Sequence, residues 1–232
     1  LGLKKQLISA NLNLFGEQTL SLAKIYIPAF LFIFLVWLTS ELTSISVYEL
    51  VSDPHEVGRI APYVGIVSNV GLLFFCCTAT TCLFTSYLMP ADNKQNKKWR
   101  LFFQCSGYLM LLLLIDDGFQ IHENFSTLLF GVDANIGVIN KKLQSVLETI
   151  VFGFYGSLFC FYGLYFKKLI YRTKTLLLVL AFGFLGMSIL VDVLPENLKG
   201  HFILEEGFKL LGIVSLMAYY IKLCYQTVKK TL

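Results

Sequence analysis

The chain has 232 residues, of which 56% are hydrophobic and only 15% charged, with a formal net charge of +4. Soluble domains carry about 25% charged residues, so this composition argues against a soluble enzyme. Twenty-one Phe and twelve Tyr amid abundant Leu suit lipid-facing helices, and at about 20 apolar residues per span the length allows about six, with no separate soluble domain.

In chain order, the apolar positions Leu3, Leu7, Ile8, Leu12 and Phe15 have the spacing of one helix face. Residues 1–18 therefore read as an interfacial helix, with Lys4 and Lys5 at anionic headgroups. Six hydrophobic runs follow, at about 20–39, 62–89, 101–122, 146–166, 176–194 and 202–223. Pro90 and Pro195 close the second and fifth. No cleavable leader is expected, because Lys24 and Pro28 interrupt the first run. Between the first two runs, Ser52-Asp53-Pro54-His55-Glu56 reads as a helix start, with Asp53 as N-cap, Pro54 in the first position and Glu56 as capping-box acceptor. Six cysteines, at 76, 77, 82, 105, 160 and 224, lie in or beside apolar runs without a C-x-x-C pair and read as small buried hydrophobes. No internal repeat or linker is visible. The fold class is an all-α polytopic membrane protein: a six-transmembrane-helix bundle forming one integral membrane domain over 1–232.

Basic residues orient the bundle. Lys4 and Lys5, the group Lys94, Lys97, Lys98 and Arg100, the group Lys167, Lys168, Arg172 and Lys174, and Lys222, Lys229 and Lys230 in the tail all fall on one side. The opposite side holds Arg59, Lys141, Lys142 and Lys199, with Lys209 further in. Both termini are expected in the cytoplasm, and the host is expected to be a bacterial-type inner membrane or its equivalent. Acidic residues show the reverse bias. Of fifteen carboxylates, only Glu17 and Asp92 fall on the cytoplasmic side, and since acids contribute little to topology, that bias needs another cause.

The third run ends in Asp116-Asp117-Gly118-Phe119-Gln120-Ile121-His122-Glu123. On an unbroken helix, Asp116, Gln120 and Glu123 share one stripe, and unwinding at Gly118 would be needed to bring His122 round to the acids. At a rise of about 1.5 Å per residue, Asp116, Glu148, Asp192 and Glu206 each stand roughly 24–28 Å from the cytoplasmic ends of their runs. This puts carboxylates of four helices at one depth, just inside the outer boundary, with Glu205 and Lys209 at the margin. Asp116, Asp117, Glu123 and Asp192 sit near helix C-termini, where the dipole disfavours anions. An ionised group near hydrocarbon is costly, so this set needs protons, Lys209 or bound cations.

These eight residues, Asp116, Asp117, Glu123, Glu148, Asp192, Glu205, Glu206 and Lys209, form the candidate ion- or proton-binding site. His122 and His201 are the candidate imidazole ligands, and a divalent metal ion is the cofactor such a set suits. The leading expectation is cation or proton binding coupled to movement of a small solute. The alternatives are a metal-dependent enzyme acting on a lipid-type substrate, and an accessory subunit of a larger membrane complex. Membrane lipids, and in the last case other membrane subunits, are the expected partners. The cytoplasmic lysines are a topology signal rather than a nucleic-acid surface. No Gly-rich phosphate loop or Ser–His pairing suggests other chemistry. Asp-Asp-Gly lacks the further aspartates that metal-dependent prenyl and phosphatidyl transferases require.

Overall fold

Local sequence signals set where the helices of the computed structural model begin and end. The structure describes residues 2–58, 61–121, 125, 138–192, 194 and 200–231, with side chains from Leu22 onward except His55, Glu56, 138–145, Glu148, Phe152 and Thr231. Among the described residues the regular elements are eight helices and no strand. These are α1 (Gly2–Leu42), α2 (Val47–Val51), α3 (Pro54–Val57), α4 (Ile66–Leu88), α5 (Lys94–Phe119), α6 (Val138–Ile170), α7 (Leu176–Asp192) and α8 (His201–Thr231). Among the described residues, five segments are long and apolar enough to cross a membrane: Leu22–Leu42, Ile66–Leu88, Lys94–Phe119, Thr149–Ile170 and His201–Lys230. The fifth expected span, α7, is apolar but has 17 residues. Large apolar side chains cover the outside of these helices. Phe30, Phe34, Phe84, Phe161, Leu164, Phe182 and Leu190 are all more than half exposed, as lipid-facing residues are.

Several boundaries depart from the sequence reading. The expected interfacial segment and the first span are one continuous helix, which runs on through Pro28. The third span starts at Lys94 rather than 101, because Asn93 caps it by accepting a hydrogen bond from the Asn96 N–H at 2.8 Å. At its far end Gly118 remains helical and the break comes at Gln120, in the left-handed region with φ 47° and ψ 45°. The expected stripe of Asp116, Gln120 and Glu123 runs past this point, and Glu123 lies outside the described residues. Asp53 does stand at the N-cap of α3 with Pro54 in the first turn, but its side chain makes no cap bond to that helix. It accepts instead from the Ser68 hydroxyl on α4, tying the loop between the first two long helices to the second of them. The neighbouring Gly65 has φ 65°, and a Cβ there would lie 2.6 Å from Pro54 Cδ, so both conformation and space require glycine. The true side-chain cap in this loop is Ser46, which accepts from the Glu49 N–H at 3.2 Å.

The helices gather into two compact units, Leu1–Gly71 with Leu178–Ala218, and Leu72–Leu177 with Tyr219–Leu232. In the first unit α8 is the centre. Residues 210–216 are buried without interruption, which places neighbours all round the helix. Ile213 meets Gly71 and Ile33 meets Gly207, while Phe184 of α7 touches both Tyr26 of α1 and Phe208 of α8. In the second unit α5 is the centre, with Phe102, Phe103, Ser106 and Met110 almost fully enclosed. Phe102 packs against Tyr162 and Phe166 of α6, and Gly107 lies directly on Ala79 and Leu83 of α4.

Candidate functional site

Lipid offers no water to satisfy polar side chains, so those inside apolar helices must find partners within the protein. In the second unit they do so between α5 and α6. Asp116 is 6% exposed, and its Oδ1 accepts the Tyr155 hydroxyl at 2.8 Å. Further along α5, buried Ser106 shares a 2.6 Å hydrogen bond with the Tyr162 hydroxyl and donates to the Phe102 carbonyl at 2.7 Å. Tyr162 also meets the Tyr220 hydroxyl at 3.3 Å. Tyr219 reaches Thr173 at 3.0 Å.

Sequence reasoning missed Tyr155 and Tyr162, although a signal for them was present. Tyr155 and Tyr162 are seven residues apart, so they share a face of α6, and that face meets α5. Six cysteines read as buried hydrophobes also sort differently. Cys82 and Cys224 are buried, whereas Cys76, Cys77 and Cys160 are exposed on the outside of their helices.

In the first unit the polar groups collect at the start of α8. His201 is 4% exposed, and its Nε2 lies 3.0 Å from the Val191 carbonyl oxygen. A carbonyl only accepts, so Nε2 carries the proton there. The Val191 carbonyl also accepts from the Leu194 N–H at 2.8 Å, and the His201 bond clamps the end of α7 to the start of α8. The other ring nitrogen, Nδ1, is 3.7 Å from Glu205 Oε2. One turn on, Lys209 Nζ pairs with Glu206 Oε1 at 3.5 Å, the i,i+3 ion pair of a helix start. Deeper in the same unit, Tyr26 of α1 and Ser215 of α8 share a 2.7 Å hydrogen bond between hydroxyls.

The expected site residues therefore lie as follows. Asp116 and Asp117 close α5 in the second unit, with Asp116 buried and Asp117 half-buried. Asp192 is exposed at the end of α7. Glu205, Glu206, Lys209 and His201 belong to the first unit and pair among themselves. His122 and Glu123 lie outside the described residues, and of Glu148 the structure describes the backbone, within α6. Among the described residues, no three His, Cys, Asp or Glu side chains stand together as a group able to hold a metal ion. With Nε2 of His201 engaged by a carbonyl, any ligand role for that residue falls to Nδ1, beside Glu205.

The Tyr26–Ser215 pair carries a quantitative expectation. In a double-mutant cycle with Tyr26→Phe and Ser215→Ala, the coupling energy will be about 0.5–1.5 kcal/mol, the range of hydrogen bonds between membrane helices. Zero coupling in a folded protein would show that the two hydroxyls do not hold α1 to α8.

Residues 27–223 match a protein family described as a domain of unknown function (DUF8692). No curated protein and no solved structure matches the chain.

Proposed function

The chain belongs to the DUF8692 family, whose match over residues 27–223 reaches into each of the five long apolar segments found among the described residues, and on that premise we propose a six-span membrane protein that binds a proton or a cation. The binding groups are the acids near the extracytoplasmic ends of the last four spans, and binding is coupled to movement of a small solute. The observation that carries this reading is Asp116: a buried carboxyl on an apolar helix, held by the Tyr155 hydroxyl. Ionisable groups within membrane spans are expensive and mark ion pathways or proton relays. The site's neutralising partner is a proton or a cation. Glu205 and Glu206, with Lys209 and His201 beside them, form the second acidic group at the same depth in the sequence.

Two features support six spans with both termini cytoplasmic. The 17 residues of α7 span about 26 Å, close to the hydrocarbon thickness of about 30 Å, and Val179, Phe182, Ile189 and Leu190 on it are exposed in the manner of lipid-facing side chains. The exposed cations Lys97, Lys98, Lys167, Lys168 and Arg172 flank the connections that this topology places inside. Exposed Tyr87 and Tyr171 stand at the same helix ends, as aromatic side chains do at a membrane interface.

A membrane-impermeant thiol reagent tests the orientation. In intact cells it will leave Lys97→Cys unmodified and modify Ser44→Cys, and in inverted vesicles the pattern will reverse. Labelling of Lys97→Cys from outside would turn the bundle over and put the acids on the cytoplasmic side. The binding reading itself is tested by the response of Asp116→Asn to pH and added cations.

A further inference from the structure

The contacts inside the two units repeat. In the first unit α8 packs on α7 through Gly212, where a Cβ would lie 2.6 Å from Leu185 Cγ, 2.8 Å from Leu185 Cδ2 and 3.2 Å from the Ala181 carbonyl oxygen. In the second unit α5 packs on α4 through Gly107, and the same atoms of Leu83 and Ala79 stand at the same three distances, 2.6, 2.8 and 3.2 Å. Alanine and leucine are four residues apart in both partner helices. The glycine-bearing helix then meets a tyrosine of the third helix through a serine: Ser215 with Tyr26 of α1 at 2.7 Å, and Ser106 with Tyr162 of α6 at 2.6 Å. Ser106 precedes Gly107 by one residue and Ser215 follows Gly212 by three, so relative to the glycines the serines differ by four positions and occupy the same face, one turn apart.

Chain order gives this repetition its form. The long helices run α1, α4, α5 and then α6, α7, α8. The first unit joins α1 to α7 and α8, and the second joins α6 to α4 and α5. Each unit thus takes the first helix of one triplet and the last two of the other. From this we infer that the chain is an internal duplication of a three-helix element with its first helices exchanged, and that the duplication is a conformational device for the solute movement proposed above, on which reading this inference rests. Three spans are an odd number, so in the six-span topology each helix and its counterpart cross the membrane in opposite directions. When the two copies trade conformations, the protein passes from a state open to one side to a state open to the other. Both states are built from the same kinds of contact, so they have similar energies and both are populated.

Spin labels in liposomes test the device. Labels at Ser44→Cys and Phe119→Cys report the outer helix ends, and labels at Lys24→Cys and Lys98→Cys the inner ends; all four positions are exposed. The unperturbed protein will give two distance populations at each pair. Gly107→Ala strains one copy and Gly212→Ala the other, so the two substitutions will move the population ratio in opposite directions, each by about five-fold. If either variant fails to fold, Tyr162→Phe and Tyr26→Phe make the same comparison, with opposite shifts of about three-fold. A single population throughout, no shift, or shifts in the same direction would overturn the inference. The binding reading is judged separately, on the melting response of Asp116→Asn, so either can fail while the other stands.

Discussion

Gly107→Val and Gly212→Val will each lower the free energy of unfolding by about 2–3 kcal/mol, read by SDS titration in mixed micelles. At both positions the space a Cβ needs is filled by the body of a leucine and by a backbone carbonyl. The leucine cannot swing clear by moving its tip alone, because Cγ is the nearest atom, and the carbonyl moves only with its helix. The helices must therefore separate, and each loses van der Waals contact along the crossing, the main attraction between helices in lipid. Gly156→Val is the control. Nothing lies within 4 Å of a Cβ at that position, and the change will be under about 0.5 kcal/mol. Equal effects at the three glycines would mean that helix flexibility, not the crossing, is what the glycines supply.

Asp116→Asn will remove the cation- and pH-dependent part of the protein's thermal stability while leaving its stability without added cations unchanged or higher. Asparagine keeps an oxygen that can accept from Tyr155, so the contact of α5 with α6 survives, whereas the ionisable group of the proposed site does not. A ligand that binds only the folded state stabilises it by mass action, and that increment disappears with its site. Asp116→Leu behaves differently. It leaves the Tyr155 hydroxyl without this acceptor and lowers stability by about 1–3 kcal/mol at every pH. Lys209→Met will also lower stability, since Glu206 loses the ammonium 3.5 Å away. Melting series against pH and against divalent cations separate these outcomes. Asp116→Asn and wild type responding identically would remove Asp116 from any binding role.

Much of the architecture follows from patterns that need no tertiary partner. A run of about 20 apolar residues is helical in lipid because its backbone groups must bond within the segment, which is why the runs at 62–89 and 202–223 are visible before any packing is known. Asp116 as a residue of interest is equally legible, because a carboxyl near the end of such a run is exceptional wherever its helix points. Local turn chemistry was read less well. Asn93 extends α5 by two turns before its apolar stretch, and an N-cap is hard to weigh among charged neighbours. The left-handed turn at Gln120 likewise left no mark in the periodicity of the third run.

Which polar groups meet was decided only by tertiary structure. Asp53 could cap its own helix or bond another, and Ser68 became its partner because the loop before α4 folds onto that helix. Tyr155 and Tyr162 look like two more aromatics in a chain with 12 Tyr and 21 Phe, and only the approach of α6 to α5 singles out their hydroxyls. The repeated glycine crossing was invisible for a related reason. The segments 79–83 and 181–185 share only their alanine and leucine. Shape is demanded where helix backbones touch, at Gly107 and Gly212 with their alanine and leucine partners, and so few specified positions leave a repeat in space without leaving one in the letters.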